Sequence, residues 1–129
     1  MPHSILIVDD NDMIRSLVRL CIERQTDWHV CGEAENGVVA VEKVEQLRPD
    51  VVILDFQMPE MNGLEAARQI SRLSPKTAIL LFTMHDCGTL RDEAQAAGIR
   101  DVVSKSDRFT ERLIGALRNA LNLTPIQPT

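Results

Sequence analysis

Short apolar runs alternate along the chain with longer segments in which apolar residues recur every three or four positions. The runs have the length of strands buried on both faces, whereas the longer segments have the period of amphipathic helices. The predicted strands cover residues 5–8, 28–34, 51–55, 78–82 and 102–104. Five strand–helix units in succession require right-handed crossovers between parallel strands. The predicted fold class is therefore α/β, a single doubly wound five-stranded parallel sheet with five helices.

Capping residues and apolar spacing predict the first helix. Asn11 or Asp12 can cap it, and its apolar residues fall at i, i+3, i+4, i+7 and i+8. These core candidates are Ile14, Leu17, Val18, Cys21 and Ile22. The polar face carries Arg15 and Arg19, which we interpret as either a solvated surface or a surface for docking a partner.

Three further helices have clear boundaries. The second is predicted over residues 38–47 and presents Val41 and Val44 to the core. The third lies between Gly63 and the Ser-Pro pair at 74–75, and the fifth has a regular apolar stripe over residues 113–121.

The fourth helix, predicted over residues 86–97, has a weak apolar stripe. Its only sizeable apolar side chains are Cys87 and Leu90. Because a helix is held to a sheet mainly by its apolar face, we expect residues 84–97 to be the most mobile helical region.

Length, charge and cysteine content limit the class of protein. The 129 residues fit one domain, which we place at residues 1–122, with residues 123–129 as a tail or the start of a linker. The net charge of −5 argues against direct binding to DNA or to an anionic membrane. The apolar run near the N-terminus is too short for a signal peptide, so we expect none, and no apolar run reaches the roughly 20 residues of a membrane helix. Its three scattered cysteines lack metal-ligand spacing, which is typical of a reduced, cytoplasmic protein.

Charged or hydroxyl-bearing residues stand at the ends of four of the five predicted strands. Asp9 and Asp10 follow the first strand, Asp55 ends the third, Thr83 follows the fourth and Lys105 follows the fifth. The carboxyl ends of parallel strands meet at one edge of the sheet, where open α/β sheets bind ligands. We therefore expect these residues to form one site.

The chemistry of these groups points to magnesium and phosphate. Three neighbouring carboxylates repel one another, and Mg²⁺ prefers oxygen ligands of this kind. With Mg²⁺ bound, an Asp55 oxygen could attack a phosphorus atom, while Lys105 and Thr83 contacted the phosphoryl oxygens. On chemistry alone, a structural buried ion pair of Asp9, Asp55 and Lys105 remains the alternative.

From residue 4 to about residue 121 the sequence resembles the receiver domains of bacterial two-component response regulators. The matching motifs are, in chain order, ILIVDD at 5–10, PDVVILD at 49–55, MPEMNG at 58–63, Thr83, Ala97-Gly98 and Lys105. The resemblance implies a flavodoxin-like receiver fold and a Mg²⁺-dependent transfer of a phosphoryl group from a phosphohistidine. It also implies that the chain catalyses only its own phosphorylation and dephosphorylation and is otherwise not an enzyme.

The resemblance assigns a role to each site residue. Asp55 is similar to the phosphoacceptor, Lys105 to the phosphoryl-binding lysine and Thr83 to the switch hydroxyl. Asp10 is similar to a direct Mg²⁺ ligand, and Asp9 to the outer member of the acid pair. The resemblance also implies that the backbone carbonyl of Gln57, two residues after the phosphoacceptor, is a metal ligand.

The motifs RPD at 48–50 and GEAENG at 32–37 resemble the subclass that usually carries a C-terminal helix-turn-helix. The implied partners are a sensor histidine kinase or phosphotransfer protein, an output domain or partner protein, and a possible second copy in a homodimer. In a longer protein the implied output is transcription regulation, read from the face formed by the fourth helix, fifth strand and fifth helix.

The chain departs from the family at this face. Val102 stands where an aromatic residue usually changes rotamer, and Ser106 stands where many receivers have a cis-proline. The fourth helix carries polar side chains at positions that the family tends to keep apolar: Arg91, Asp92 and Gln95.

Other α/β families fit the sequence less well. The chain lacks the G-x-G-x-x-G of dinucleotide-binding domains and the G-x-x-x-x-G-K-[ST] of P-loop proteins. A haloacid-dehalogenase-type phosphatase needs a second aspartate where this chain has Gln57. The alternative that stays open is a stand-alone receiver or pseudo-receiver that acts as a protein-interaction module.

Overall fold

The protein is described by a computed structural model that covers residues 3–84, 88–106 and 108–121. Strands and helices alternate through these residues, which confirms the predicted fold class. The elements are β1 Ser4–Val8, α1 Asp12–Gln25, β2 His29–Ala34, α2 Gly37–Leu47, β3 Val51–Leu54, α3 Gly63–Leu73, β4 Ala78–Thr83, α4 Gly88–Ala96, β5 Asp101–Ser104 and α5 Phe109–Leu121. Within this described part of the chain, no helix is long and apolar enough to span a bilayer.

The five strands form one parallel sheet in the order β2-β1-β3-β4-β5. The central strand, β3, pairs with β1 on one side and with β4 on the other, and all four of its residues are buried. Because every strand runs in the same direction, the loops after their carboxyl ends share one edge of the sheet. This arrangement brings the acidic residues after β1 and β3 next to each other.

Each face of the sheet carries its own apolar core. On one face Ile5, Ile7 and Ile53 pack in one cluster with side chains of α1 and α5. On the other face Leu6 and Val52 pack with side chains of α2, α3 and α4. Successive side chains of a strand point to opposite faces, so helices on both faces require strands that are apolar at every position.

Asparagine side chains begin the two helices that follow the acidic strand ends. Asn11 Oδ1 accepts hydrogen bonds from the Met13 and Ile14 amides at 2.9 and 3.1 Å, so Asn11 is the cap of α1. Asn62 Oδ1 accepts from the Glu65 amide at 3.0 Å and begins α3. These caps satisfy amides that have no partner within the helix.

One predicted core position is wrong, and another lies at the margin of the core. Leu17 was expected in the core of α1, but it is 44% exposed, because the packed stripe of this helix centres on Val18 and Ile22. In α2 the predicted core position of Val44 is confirmed, since Val44 and Ala40 are both fully buried, whereas Val41 is partly buried and packs against the margin of the cluster. Both differences arise because the face of each helix that packs against the sheet is narrower than the apolar stripe in the sequence.

The fourth helix is the shortest of the described helices, with nine residues. Its buried side chains are Leu90 and Ala94, in agreement with the small apolar face expected from the sequence. The first two residues of the predicted helix, at positions 86 and 87, lie outside the described residues, as does the predicted tail at 123–129. The expected mobility of residues 84–97 stays a prediction.

Gly63 allows α3 to begin close to the end of β3. Its amide donates a hydrogen bond to the Phe56 carbonyl at 2.8 Å. A Cβ atom at this position would overlap the Asp55 carbonyl oxygen and would lie 3.0 Å from Phe56 Cα. Since both obstacles are backbone atoms, a larger residue would displace the loop that carries Asp55.

We expect Gly63→Ala to lower the free energy of unfolding by about 1–3 kcal/mol, because the added methyl group has no space. Chemical denaturation measures this change. Gly115→Ala in α5 is the control, since a Cβ there meets nothing within 4 Å. That substitution should raise stability by about 0.5–1 kcal/mol through the better helix propensity of alanine. Equal stability of Gly63→Ala and the unaltered protein would contradict the argument.

Candidate functional site: an acidic cluster and a lysine

The site is built from residues that directly follow strands. Backbone hydrogen bonds continue the sheet one residue beyond β1, β3 and β5. The Asp9 amide donates to the Ala34 carbonyl at 3.0 Å, and the Asp55 amide donates to the Val8 carbonyl at 3.0 Å. The Lys105 amide donates to the Thr83 carbonyl at 2.8 Å. The main chain of each of these residues is therefore fixed by the sheet.

Lys105 joins two of the carboxylates. Its Nζ lies 2.7 Å from Asp9 Oδ2 and 3.3 Å from Asp55 Oδ1. All three side chains are nearly buried, with exposed fractions of 11%, 3% and 10% for Lys105, Asp9 and Asp55. The ammonium also lies 5.6 Å from the centre of the Phe82 ring, which in turn packs against Phe109. Lys105 is thus held in position on its apolar side as well as by the two carboxylates.

The acidic cluster holds more negative charge than Lys105 can balance. Asp9, Asp10 and Asp55 each place a carboxylate oxygen within 4.8 Å of the others. Asp9 and Asp55 are buried, whereas Asp10 is exposed at the mouth of the site. Three carboxylates with an open side toward solvent are a donor set that suits Mg²⁺, which takes few carboxylates and keeps several waters.

The surroundings of Asp55 in this cluster perturb its ionisation. Burial raises the pKa of Asp55 above its ordinary value of 3.8, and the negative charge of Asp9 raises it further. The charge of Lys105 and its hydrogen bond oppose this increase without cancelling it. A negative charge on Asp55, the residue predicted to react, is therefore costly in the metal-free site.

The structure brings together four of the predicted site residues, namely Asp9, Asp10, Asp55 and Lys105. Thr83 is fully buried at the end of β4, in the strand between those that precede Asp55 and Lys105. Gln57 is exposed two residues after Asp55. The roles assigned to Thr83 and Gln57 stay predictions.

One residue near the site was not recognised from the sequence. Arg15 is a mostly buried side chain, only 14% exposed, and Nη1 donates a 2.5 Å hydrogen bond to the Asp9 carbonyl. Its Nε also pairs with Glu33 Oε1 at 2.9 Å. The signal in the sequence was Glu33, a charged residue inside the second strand that needs a partner of opposite charge from a neighbouring element.

Two buried carboxylates bridged by a lysine, with a third carboxylate at the exposed side, thus lie at the carboxyl edge of a doubly wound parallel sheet. The family model described as "Response regulator receiver domain" matches residues 5–118. The chain therefore belongs to the response regulator receiver family.

Solved structures agree with this assignment over nearly the whole chain. The response regulator domain of CheB from Thermotoga maritima superposes with a TM-score of 0.89 at 31% identity, over 97% of this chain and 100% of that one. A LuxR-family two-component response regulator from Aurantimonas sp. superposes with a TM-score of 0.88 at 31% identity, over 94% of this chain and 86% of that one.

A curated relative matches a shorter stretch. The transcriptional regulatory protein YdfI of Bacillus subtilis is 43% identical over 60 residues, which is 46% of this chain and 28% of that protein. Because the match spans less than a third of that relative, the relative's activity as a whole protein is not transferred to this chain.

The raised pKa of Asp55 leads to a pH-dependent stability prediction. The folded protein holds this proton more tightly than the unfolded chain, so the carboxyl favours folding at low pH. That contribution is lost as pH rises through the raised pKa. In a chelator at about pH 7.5, Asp55→Asn should therefore unfold at a higher denaturant concentration than the unaltered protein.

This advantage should shrink as pH falls through the pKa of Asp55 toward 3.8. Denaturant midpoints measured across the pH range test the expectation. Asp27→Asn, at an exposed position, serves as the control. The interpretation fails if Asp55→Asn is less stable than the unaltered protein at neutral pH, since that result would make the Asp55–Lys105 pair a structural ion pair.

Proposed function

We propose that this receiver accepts a phosphoryl group from a phosphohistidine of a histidine kinase or phosphotransfer protein onto Asp55, in a Mg²⁺-dependent reaction. The observation that carries the proposal is the position of Asp55. Its carboxylate is buried at the end of the central strand, 3.3 Å from Lys105 Nζ, and lies beside Asp9 and the exposed Asp10. A structural ion pair would not need the third carboxylate.

The residues present fit a magnesium ion. Asp10 and Asp55 would hold it through carboxylate oxygens and Gln57 through its backbone carbonyl, with Asp9 in the outer shell. When bound, Mg²⁺ supplies positive charge that offsets the repulsion among the carboxylates and between them and an incoming phosphoryl group.

The chain's own residues perform the transfer. An Asp55 carboxylate oxygen attacks phosphorus, the bond between phosphorus and the histidine nitrogen breaks, and its electron pair leaves with the imidazole. Lys105 provides a point charge for one phosphoryl oxygen, and the Thr83 hydroxyl provides a donor for another. Burial of Asp55 limits the access of water, which would otherwise hydrolyse the acyl phosphate.

The output is proposed to be read from α4, β5 and α5. Val102 in β5 is buried, and its carbonyl accepts a 3.2 Å hydrogen bond from Arg91 Nη2 in α4. Phosphorylation would be transmitted from Thr83 and Lys105 through β4 and β5 to this face, without a change of aromatic rotamer. A partner protein or an output domain that regulates transcription would bind there. We also propose that the protein is located in the cytoplasm.

The central test is phosphorylation of Asp55. With Mg²⁺ and a small phosphodonor such as acetyl phosphate, intact-mass spectrometry should detect one phosphoryl adduct, and Asp55→Asn should carry none. Lys105→Met should also lower the yield, because the phosphoryl oxygen loses its cation. A folded protein that gives no adduct would favour the alternative of an interaction module that is not phosphorylated. An adduct retained in Asp55→Asn would show that another residue carries the phosphoryl group and would refute the role of Asp55.

Substitution of Asp10 distinguishes an effect on metal binding from an effect on the stability of the fold. Asp10→Ala should weaken Mg²⁺ binding and abolish phosphorylation, yet thermal stability in a chelator should be unchanged or higher, since one repelling carboxylate is removed. Glu35→Ala, a substitution of an exposed acid that follows β2 at the same edge of the sheet, tests whether any nearby loss of negative charge has the same effect. A clear drop in the metal-free melting temperature of Asp10→Ala would contradict the repulsion argument.

A further inference from the structure

Arg15 connects α1, β2 and the acidic loop through one guanidinium group. Its Nε pairs with Glu33 Oε1 at 2.9 Å, and its Nη1 donates to the Asp9 carbonyl at 2.5 Å. Its Nη2 also pairs with the Asp12 carboxylate. A planar guanidinium with donors in fixed directions can meet all three acceptors at once, which a lysine ammonium on the same backbone could not match.

The hydrogen bond to Asp9 determines how Asp10 is presented. The Asp9 carbonyl and the Asp10 amide belong to one rigid peptide plane, so holding that carbonyl fixes the plane before Asp10. The plane after Asp10 is also held, because the Asn11 amide donates to Asp9 Oδ1 at 2.9 Å. The backbone on both sides of Asp10 is therefore fixed, and the first of these two constraints depends on Arg15.

Glu33 orients the guanidinium. It accepts a hydrogen bond from Arg15 Nε at 2.9 Å and a second from Arg19 Nε at 2.7 Å, while its own carbonyl accepts from Lys43 at 2.5 Å. Burial alone would raise the pKa of Glu33, but the hydrogen bonds from Arg19 and Arg15 lower it below 4.5. Glu33 is thus a carboxylate at neutral pH and holds Arg15 against β2.

We propose that Arg15, oriented by Glu33, is a positioning residue for Asp10: it fixes the Asp9–Asp10 peptide plane and so aims the Asp10 carboxylate at a divalent cation. The part of this inference that concerns the cation rests on the proposed function. The part that concerns the loop does not, because it describes the metal-free protein.

Charge and geometry make opposite predictions for this residue. Arg15 is a cation close to a cation site, so its loss should strengthen Mg²⁺ binding if only charge mattered. If Arg15 acts through the peptide plane, its loss should weaken binding instead. Outer-shell partners of metal ligands typically change metal affinity by about 10- to 100-fold, and we expect a decrease of about tenfold here.

Arg19 supplies a matched control. It lies one turn after Arg15 on the same helix, carries the same charge and pairs with the same Glu33, but its described contacts are with Glu33 and Glu23 and not with Asp9. Arg15→Gln and Arg19→Gln therefore remove the same charge from the same network. Each also removes one pair with an exposed acid on α1, Asp12 or Glu23, and only Arg15→Gln removes a described hydrogen bond to the acidic loop.

The first measurement uses the metal-free full chain. Amide exchange by NMR should be faster at Asp10 and Asn11 in Arg15→Gln than in the unaltered protein, and unchanged there in Arg19→Gln. Glu33→Gln should also make exchange at these two amides faster, but by less than Arg15→Gln. If Arg15→Gln does not fold, exchange in Glu33→Gln decides whether Arg15 holds the loop. Unchanged exchange at both amides in Arg15→Gln, or equal increases in the two arginine variants, would overturn the proposal.

The second measurement is a calorimetric titration with MgCl₂. Arg15→Gln should bind the ion about tenfold more weakly, whereas Arg19→Gln should bind it as tightly as the unaltered protein or slightly more tightly. Equal or tighter binding by Arg15→Gln would overturn the positioning role. Absence of Mg²⁺ binding by the unaltered protein would refute the proposed function, and the exchange measurement would still decide whether Arg15 holds the loop.

Discussion

Repulsion among three carboxylates at one edge of a sheet is the constraint on which the structure depends. Carboxylate oxygens of Asp9, Asp10 and Asp55 lie within 4.8 Å of one another. The ammonium group of Lys105 lies between the carboxylates of Asp9 and Asp55. An unconstrained chain would relieve this repulsion by moving the groups apart. The protein prevents that movement by attaching each group to a strand that is buried on both faces.

The rest of the fold follows from this requirement. Strands buried on both faces need helices above and below, and the two apolar clusters supply these contacts. The helices that follow the acidic strand ends begin at the caps Asn11 and Asn62. Gly63 then lets α3 pass close to the backbone of Asp55. Each of these features limits how far the loops carrying the carboxylates can move.

Much of this could be predicted because the signals are local. A strand buried on both faces is a continuous apolar run, and the residue that ends it is visible in the sequence, as for Asp55 after residues 51–54. The parallel connection rule then places such residues at one edge without any knowledge of distances. For this reason the grouping of Asp9, Asp10, Asp55 and Lys105 could be predicted from the sequence. Leu17 was misplaced because the apolar period of α1 does not define how wide a face the sheet covers.

The Arg15–Glu33 pair could not be predicted from the sequence, because the two residues are 18 positions apart and meet only through the side-by-side placement of α1 and β2. In the sequence, Arg15 and Arg19 look alike, and both fit a solvated helix face. Only the three-dimensional structure distinguishes the arginine that donates to Asp9 from the one that does not. Charged residues near a site are ambiguous in a sequence because the acceptor can be a backbone carbonyl, which every residue has.

The same repulsion would make the site sensitive to the ligands of the proposed function. In the metal-free protein, burial and the charge of Asp9 raise the pKa of Asp55, so part of the folding free energy is spent in holding an unfavourable charge. Any ligand that neutralises this edge gains that free energy back when it binds, and its affinity is coupled to the positions of Asp10, Asp55 and Lys105. A site already balanced by salt bridges would gain little from a cation or a phosphoryl group and would transmit little to the neighbouring strands. The unbalanced charge that makes the acidic cluster costly is therefore also what makes it responsive.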